Sequence, residues 1–163
     1  MRRLALRTMQ IRAAEVTDCG ALARTSRLAF DHDVNYGAPG VGGPPGYDSV
    51  AWHRQALTWG RVVVLVLADR IVGGVVVVMK SGDHAELGRI WLEPAVQNQG
   101  WGAVALKLIE DMFPQVRRWT LDTPSWNQRN QTFYRSMGYV EVGRTPGPVY
   151  YAKLIDPDRT RPT

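Results

Sequence analysis

Three parts of the sequence hold residues whose types and spacing can do chemistry. Gln97-Asn98-Gln99-Gly100-Trp101-Gly102-Ala103 sets two glycines between an apolar run ending near Leu92 and a helix-like segment. The N–H groups that open a helix have no intrahelical partner, and the macrodipole adds about half a positive charge there. Glycines let a bulky anion approach that backbone. The stretch is therefore either a pyrophosphate cradle or a plain strand-to-helix turn. It is no Walker loop, because Gly-Lys-Ser/Thr is missing, and alanine at position 105 breaks Gly-x-Gly-x-x-Gly. Tyr134 shares a helical stripe with Asn130, Phe133 and Met137, so it is either core or a phenolic proton donor with a pKa near ~10. Strand alternation sets Glu86 on the face of Ile90 and Leu92, absent an intervening bulge.

Other chemistries are excluded or unsupported. His32, His53 and His84 show no ligand spacing and are expected at the surface, so no metal site is expected. There is no Gly-x-Ser-x-Gly elbow. The single cysteine, Cys19, rules out an internal disulfide framework and reads as a small buried apolar residue.

The elements that must position these residues follow from pattern. The 163 residues, 45% of them hydrophobic, fit one domain over 1–163, with a core over about 9–155 and short polar ends. Met9 to Ala14 reads as an opening strand, and Thr17-Asp18 as the cap of a first helix running through Phe30. Asp31 to Gly46 is loop-like and rich in glycine and proline. Asp48-Ser49 caps a second helix through Leu57. Val62 to Ala68 and Ile71 to Met79 are dense in β-branched residues and read as a buried antiparallel hairpin. Ala85 to Leu92 is a strand, Ala103 to Phe113 a helix ended by Pro114, and Trp119 to Asp122 a strand. Asn127 to Met137 is a helix closed by Gly138, and Tyr139 to Arg144 with Val149 to Ile155 finish as strands. No apolar run reaches the ~20 residues of a membrane span, and Arg7, Gln10 and Arg12 interrupt any signal-peptide core. A cytoplasmic protein is expected. The net charge of +5 favours anionic partners, and arginines near both ends supply much of it.

Glu93 to Gly102 resembles the acyl-CoA-binding signature of the GNAT superfamily of N-acyltransferases, Gln/Arg-x-x-Gly-x-Gly/Ala between a strand and a helix. Gln97, Gly100 and Gly102 fit it position by position. Asn127, Tyr134 and Gly138-Tyr139 fit a second family motif, and the order of elements from Met9 to Ile155 follows the family layout. The resemblance implies a mixed α/β fold, with a mostly antiparallel central sheet flanked by helices. It implies an N-acetyltransferase that moves the acetyl group of acetyl-CoA directly to a primary amine, without a covalent enzyme intermediate.

The same resemblance implies roles. Leu92 would run beside the pantetheine arm and offer its N–H to the thioester carbonyl. Removing such a donor costs about 2.7–4 kcal/mol. Gln97, Asn98, Gln99, Gly100, Trp101, Gly102 and Ala103 would form the cofactor site, with backbone N–H groups from Gln99 to Ala103 on the pyrophosphate. Trp101 stands where relatives carry an aliphatic or basic residue. Asn127 would bond the pantetheine arm or simply cap its helix. Tyr134 would protonate the departing thiolate. Glu86, or else a water chain, would take the amine proton, with Glu93 and Asp122 as lesser candidates. Asp31, His32, Asp33 and Tyr36 would form a wall of the acceptor site, attracting a small-molecule or peptide amine, or would simply be a capped, solvated helix end. A longer acyl-CoA or an aminoacyl-tRNA as donor, and a non-catalytic CoA-binding module, remain the alternatives. The resemblance also makes a homodimer plausible.

Overall fold

Valine density builds the centre of the sheet. In the computed structural model, which describes residues 8–156, Arg61–Leu67 (β2) and Arg70–Met79 (β3) pair antiparallel across a tight turn. Ala68 and Asp69 in that turn have φ of 49° and 61°, the positive values a two-residue hairpin turn of the right twist requires. Gln10–Ala13 (β1) flanks β2, and His84–Leu92 (β4) flanks β3. Arg118–Pro124 (β5), Val140–Arg144 (β6) and Pro148–Leu154 (β7) complete a seven-stranded sheet in the order β1-β2-β3-β4-β5-β7-β6. Every neighbouring pair is antiparallel except β4 and β5.

Two apolar clusters cover the two faces. Helices Cys19–Asp31 (α1) and Val50–Trp59 (α2) bury Leu22, Ala29 and Ala56 against Val62, Val64, Val76 and Trp91. Helices Trp101–Met112 (α3) and Gln128–Ser136 (α4) bury Leu106, Ile109 and Tyr134 against Val63, Leu65, Val75 and Leu87. Alternate strand residues divide between the faces, as the period of two requires.

Helix ends follow local chemistry. The Ser49 hydroxyl accepts from the Trp52 N–H at 3.1 Å, and Asn127 Oδ1 accepts from the Asn130 N–H at 3.0 Å. Gly138 takes φ of 92° just past α4. Asp18 precedes α1 as expected but does not cap it. Its carboxylate accepts from the Glu15 N–H at 2.8 Å and from both Arg12 amino groups at 2.7 and 2.9 Å. Arg12 is thus tied into an ion pair with Asp18 although half of its side chain stays exposed, while Arg2, Arg3, Arg7, Arg159 and Arg161 lie outside the described residues. His53 also departs from expectation. It is fully buried, with Nδ1 2.7 Å from the Ser49 carbonyl and its ring between Trp52 and Trp91. Burial lowers its pKa.

Candidate active site

The site begins where β4 and β5 separate. Their ladder holds only from His84–Glu86 to Arg118–Thr120. On its other side β4 slips register against β3: Val77 faces Leu87 and Val76 faces Arg89, so Gly88 is the extra residue. A Cβ on Gly88 would lie 3.2 Å from the Val76 carbonyl oxygen, which explains glycine at the bulge.

The bulge corrects the expectation for Glu86. An extra residue reverses the alternation downstream, so Ala85 and Leu87 share the α3/α4 face with Ile90 and Leu92. Glu86 shares the opposite face with Arg89 and Trp91. Its carboxylate pairs with Lys80 at 3.1 Å and lies outside the lining of the two cavities described below.

Beyond the separation, the open edge of β4 carries usable backbone groups. The Glu93 N–H bonds the Val72 carbonyl on β3 at 2.8 Å. Successive strand residues direct their backbone groups to opposite sides, so Leu92 and Ile90 point theirs toward the gap. The Leu92 carbonyl is taken there by Gln97 Nε2 at 2.7 Å. Glu93 itself is buried in an ion pair with Arg70, with Arg24 at 3.8 Å, and so anchors the end of β4.

The glycine loop faces the same gap. Asn98 and Gly100 have φ of 60° and 85°, and no atom lies within 4 Å of where a Gly100 Cβ would stand. Trp101, Gly102 and Ala103 form the first turn of α3, whose N–H groups have no intrahelical carbonyl. A Gly102 Cβ would touch the Phe133 ring at 3.4 Å. The Gln99 side chain bonds the Ala95 carbonyl at 3.2 Å. The Trp101 ring is half-buried against the α3/α4 cluster.

Two cavities converge on Tyr134. One, of about 420 Å³, runs from Gln97, Gly100 and Gly102 past Leu92 to Tyr134. The other, of about 720 Å³, runs from the glycine- and proline-rich segment 38–44 past Arg89 and Asp122 to the same tyrosine. Phe30, Asp33, Ile90 and Asn130 line both. The Tyr134 ring is buried edge-on to Tyr139 at 5.7 Å, beside Phe133 and Tyr151. Its hydroxyl has no hydrogen-bond partner among the described residues. Burial, then the Asp122 charge, hold its pKa far above that of a free phenol.

Asp122 comes from the opposite face. Thr120 pairs with Glu86, so Asp122, two residues on, lies on the Glu86 side of the sheet. It has no ion pair or hydrogen bond among the described residues. Burial first, and then the Glu86 charge, raise its pKa.

One connection escaped the sequence reading. Arg129 donates to Gln97 Oε1 at 3.1 Å and to Asp33 Oδ1 at 3.4 Å, and its guanidinium stacks on the Tyr36 ring at 3.5 Å. The Tyr36 hydroxyl accepts from Asn98 Nδ2 at 3.3 Å. Arg129 thereby ties the glycine loop to the 3-10 turn His32–Tyr36. Burial raises the Asp33 pKa, and the Arg129 charge partly offsets that. Of the four expected acceptor-wall residues, only Asp33 lines the cavities. Asp31 accepts from the Tyr47 hydroxyl at 2.7 Å, and His32 packs on Asn35 and Tyr36.

Residues 35–139 match the acetyltransferase (GNAT) family. The chain belongs to that family. Solved structures share the GNAT fold across nearly the whole chain. The PaiA N-acetyltransferase from Thermoplasma acidophilum, in complex with coenzyme A, superposes with a TM-score of 0.76 at 15% identity, covering 91% of this chain and 99% of that one. An acetyltransferase from Thermus thermophilus gives 0.77 at 20% identity over 91% and 97%. The ribosomal-protein-S18-alanine N-acetyltransferase from Escherichia coli gives 0.71 at 19% over 91% and 94%. The uncharacterized protein YrkN of Bacillus subtilis is 38% identical over 77 residues, which span 46% of this chain but only 42% of YrkN. Among the described residues no helix is long and apolar enough to cross a membrane, and no cluster of metal-ligating side chains occurs.

Proposed function

We propose that this GNAT protein is an N-acetyltransferase that moves an acetyl group from acetyl-CoA to a primary amine within a ternary complex. The observation that carries this reading is the meeting of two cavities at Tyr134, in the gap between β4 and β5. The smaller cavity fits the donor. Its mouth has the first-turn N–H groups of Trp101, Gly102 and Ala103 for the pyrophosphate, with Gln99 and Gly100 beside them. Its length runs along the open edge of Ile90 and Leu92, whose backbone groups suit an amide-bearing pantetheine arm. Asn98 and Gln97 shape that passage, although Gln97 already grips Leu92, while Asn127 lines the acceptor cavity and its Oδ1 caps α4. The bound donor supplies a thioester-activated acetyl group.

The chain's own residues then do the following. The Leu92 N–H offers a hydrogen bond where negative charge gathers on the carbonyl oxygen. Asp122, facing the acceptor cavity, takes the ammonium proton directly or through a water. Glu86 acts on that step through its charge, which makes Asp122 more basic. Tyr134 gives its proton to the departing sulfur. Burial weakens a phenol as an acid, but it makes a neighbouring thiolate more basic in the same way. Asp33, held by Arg129, closes one side of the acceptor cavity, and Tyr36 supports Arg129 from outside it.

The test is release of free thiol from acetyl-CoA on addition of an amine panel. Amine-dependent release supports the reading. Saturable acetyl-CoA binding with no release on any amine contradicts it and favours a CoA-binding module.

A further inference from the structure

The acceptor cavity contains two charged side chains that have no ion-pair partner among the described residues. At the reacting end stands the Asp122 carboxylate. Elsewhere in the same cavity stands Arg89, on the same face of the sheet but on the other strand. The guanidinium stacks on the Trp52 ring at 3.8 Å, and Nη2 donates to the Pro45 carbonyl at 2.5 Å. Nη1 is buried with no acceptor, and among the described residues no carboxylate pairs with Arg89. A buried donor on a cation without a partner is costly, and native proteins keep few of them. Burial is the one influence on its pKa, which falls to about 10 and leaves it charged at neutral pH. The segment above it is rich in glycine, with Gly37 and Gly46 both at positive φ.

We propose that Arg89 is the subsite for an anionic group, a carboxylate or phosphate, carried by the amine acceptor at a distance from its amino group. This rests on the acetyltransferase reading and narrows its acceptor to a dipolar molecule. The amine lies toward Asp122 and Tyr134, and the anion lies against Arg89. The same cavity is also lined by Phe30, Ile90 and Trp126, which suit an apolar or aromatic spacer. A cation that served only to hold Pro45 would favour no class of acceptor.

The experiment compares matched amines with and without an anion. These are 4-(aminomethyl)benzoate against benzylamine, and O-phosphoethanolamine against ethanolamine, with wild type, Arg89→Gln and Arg89→Lys. The carboxylate and phosphate arms show which anion the site prefers. In wild type, kcat/KM for the anion-bearing member of at least one pair exceeds that of its partner without the anion by about tenfold or more, the range of one charge-assisted hydrogen bond. Arg89→Gln abolishes that preference and leaves the amine without an anion within about threefold of wild type, while Arg89→Lys retains part of it. Equal rates within both pairs, or an equal loss on both members, overturns the proposal. A second readout needs no transfer: binding of phenylacetate followed by calorimetry. Binding that Arg89→Gln loses without a change in melting temperature supports the subsite even if the acetyltransferase reading fails. Wild type that binds phenylacetate no better than Arg89→Gln overturns it.

Discussion

Replacing Tyr134 by Phe removes one oxygen from the point where the cavities meet. The ring packs against Phe133, Tyr139 and Tyr151 at centroid distances of 5.3, 5.7 and 6.4 Å, and phenylalanine keeps those contacts. The hydroxyl has no protein partner among the described residues, so its loss breaks no bond in the fold. A net hydrogen bond is worth about 0.5–1.5 kcal/mol, and here not even that is at stake, so the melting temperature stays near wild type. Catalysis is different. A positioned proton donor contributes about 10²–10⁴-fold, which is about 2.7–5.5 kcal/mol of barrier. The Tyr134 pKa lies above the ordinary phenol value, so the donor is fully protonated at neutral pH and the deficit is constant from about pH 6 to 9. The assay is thiol release at saturating acetyl-CoA, with the acetyl-CoA dissociation constant from calorimetry alongside. Turnover within threefold of wild type removes Tyr134 from the mechanism. A parallel loss of affinity and melting temperature makes it a packing residue.

Asp122→Asn lowers turnover and flattens the fall in kcat/KM on the acid side. The same change leaves stability unchanged or raises it, since a carboxylate with a raised folded-state pKa costs stability above its unfolded value; thermal melts at pH 7 check this. Gly100→Val costs about 1–2 kcal/mol for a side chain at positive φ and fills the open cradle, so acetyl-CoA affinity falls at least about tenfold in calorimetry. Asp18→Ala removes the partner of Arg12 and of the Glu15 N–H and destabilises by about 2 kcal/mol at pH 7. Hydrogen bonds from Arg12 lower the Asp18 pKa, so its stabilisation is complete above the unfolded pKa of about 3.9 and is lost as pH falls through the lower folded value. Denaturant melts of the two proteins therefore converge at low pH.

Much of the fold was legible because its signals are local. Valine-rich runs became β2 and β3, Ser49 and Asn127 cap helices, and Gly138 ends one. The glycine loop between strand and helix was equally plain. What escaped depends on contacts distant in sequence. The bulge at Gly88 exists only relative to β3, and it alone decides which face Glu86 takes. Arg129 reaches partners 32 and 96 residues away, although its place inside the Asn127 to Tyr134 motif was a usable hint. Histidine type suggested a surface position for His53, but the tryptophans around it come from α2 and β4. Asp122 became the carboxylate facing the acceptor cavity because the ladder between β4 and β5 stops at Thr120, just before it. No pattern within β5 marks that point.

The most direct test of the account is calorimetric titration of acetyl-CoA into the wild-type protein and into Gly102→Trp, whose side chain would be forced between the cradle and Phe133. The account predicts one saturable site in the wild type, with a negative heat-capacity change from apolar burial, and its loss in the variant without unfolding. Absence of binding by both acetyl-CoA and free coenzyme A to the wild type would contradict it.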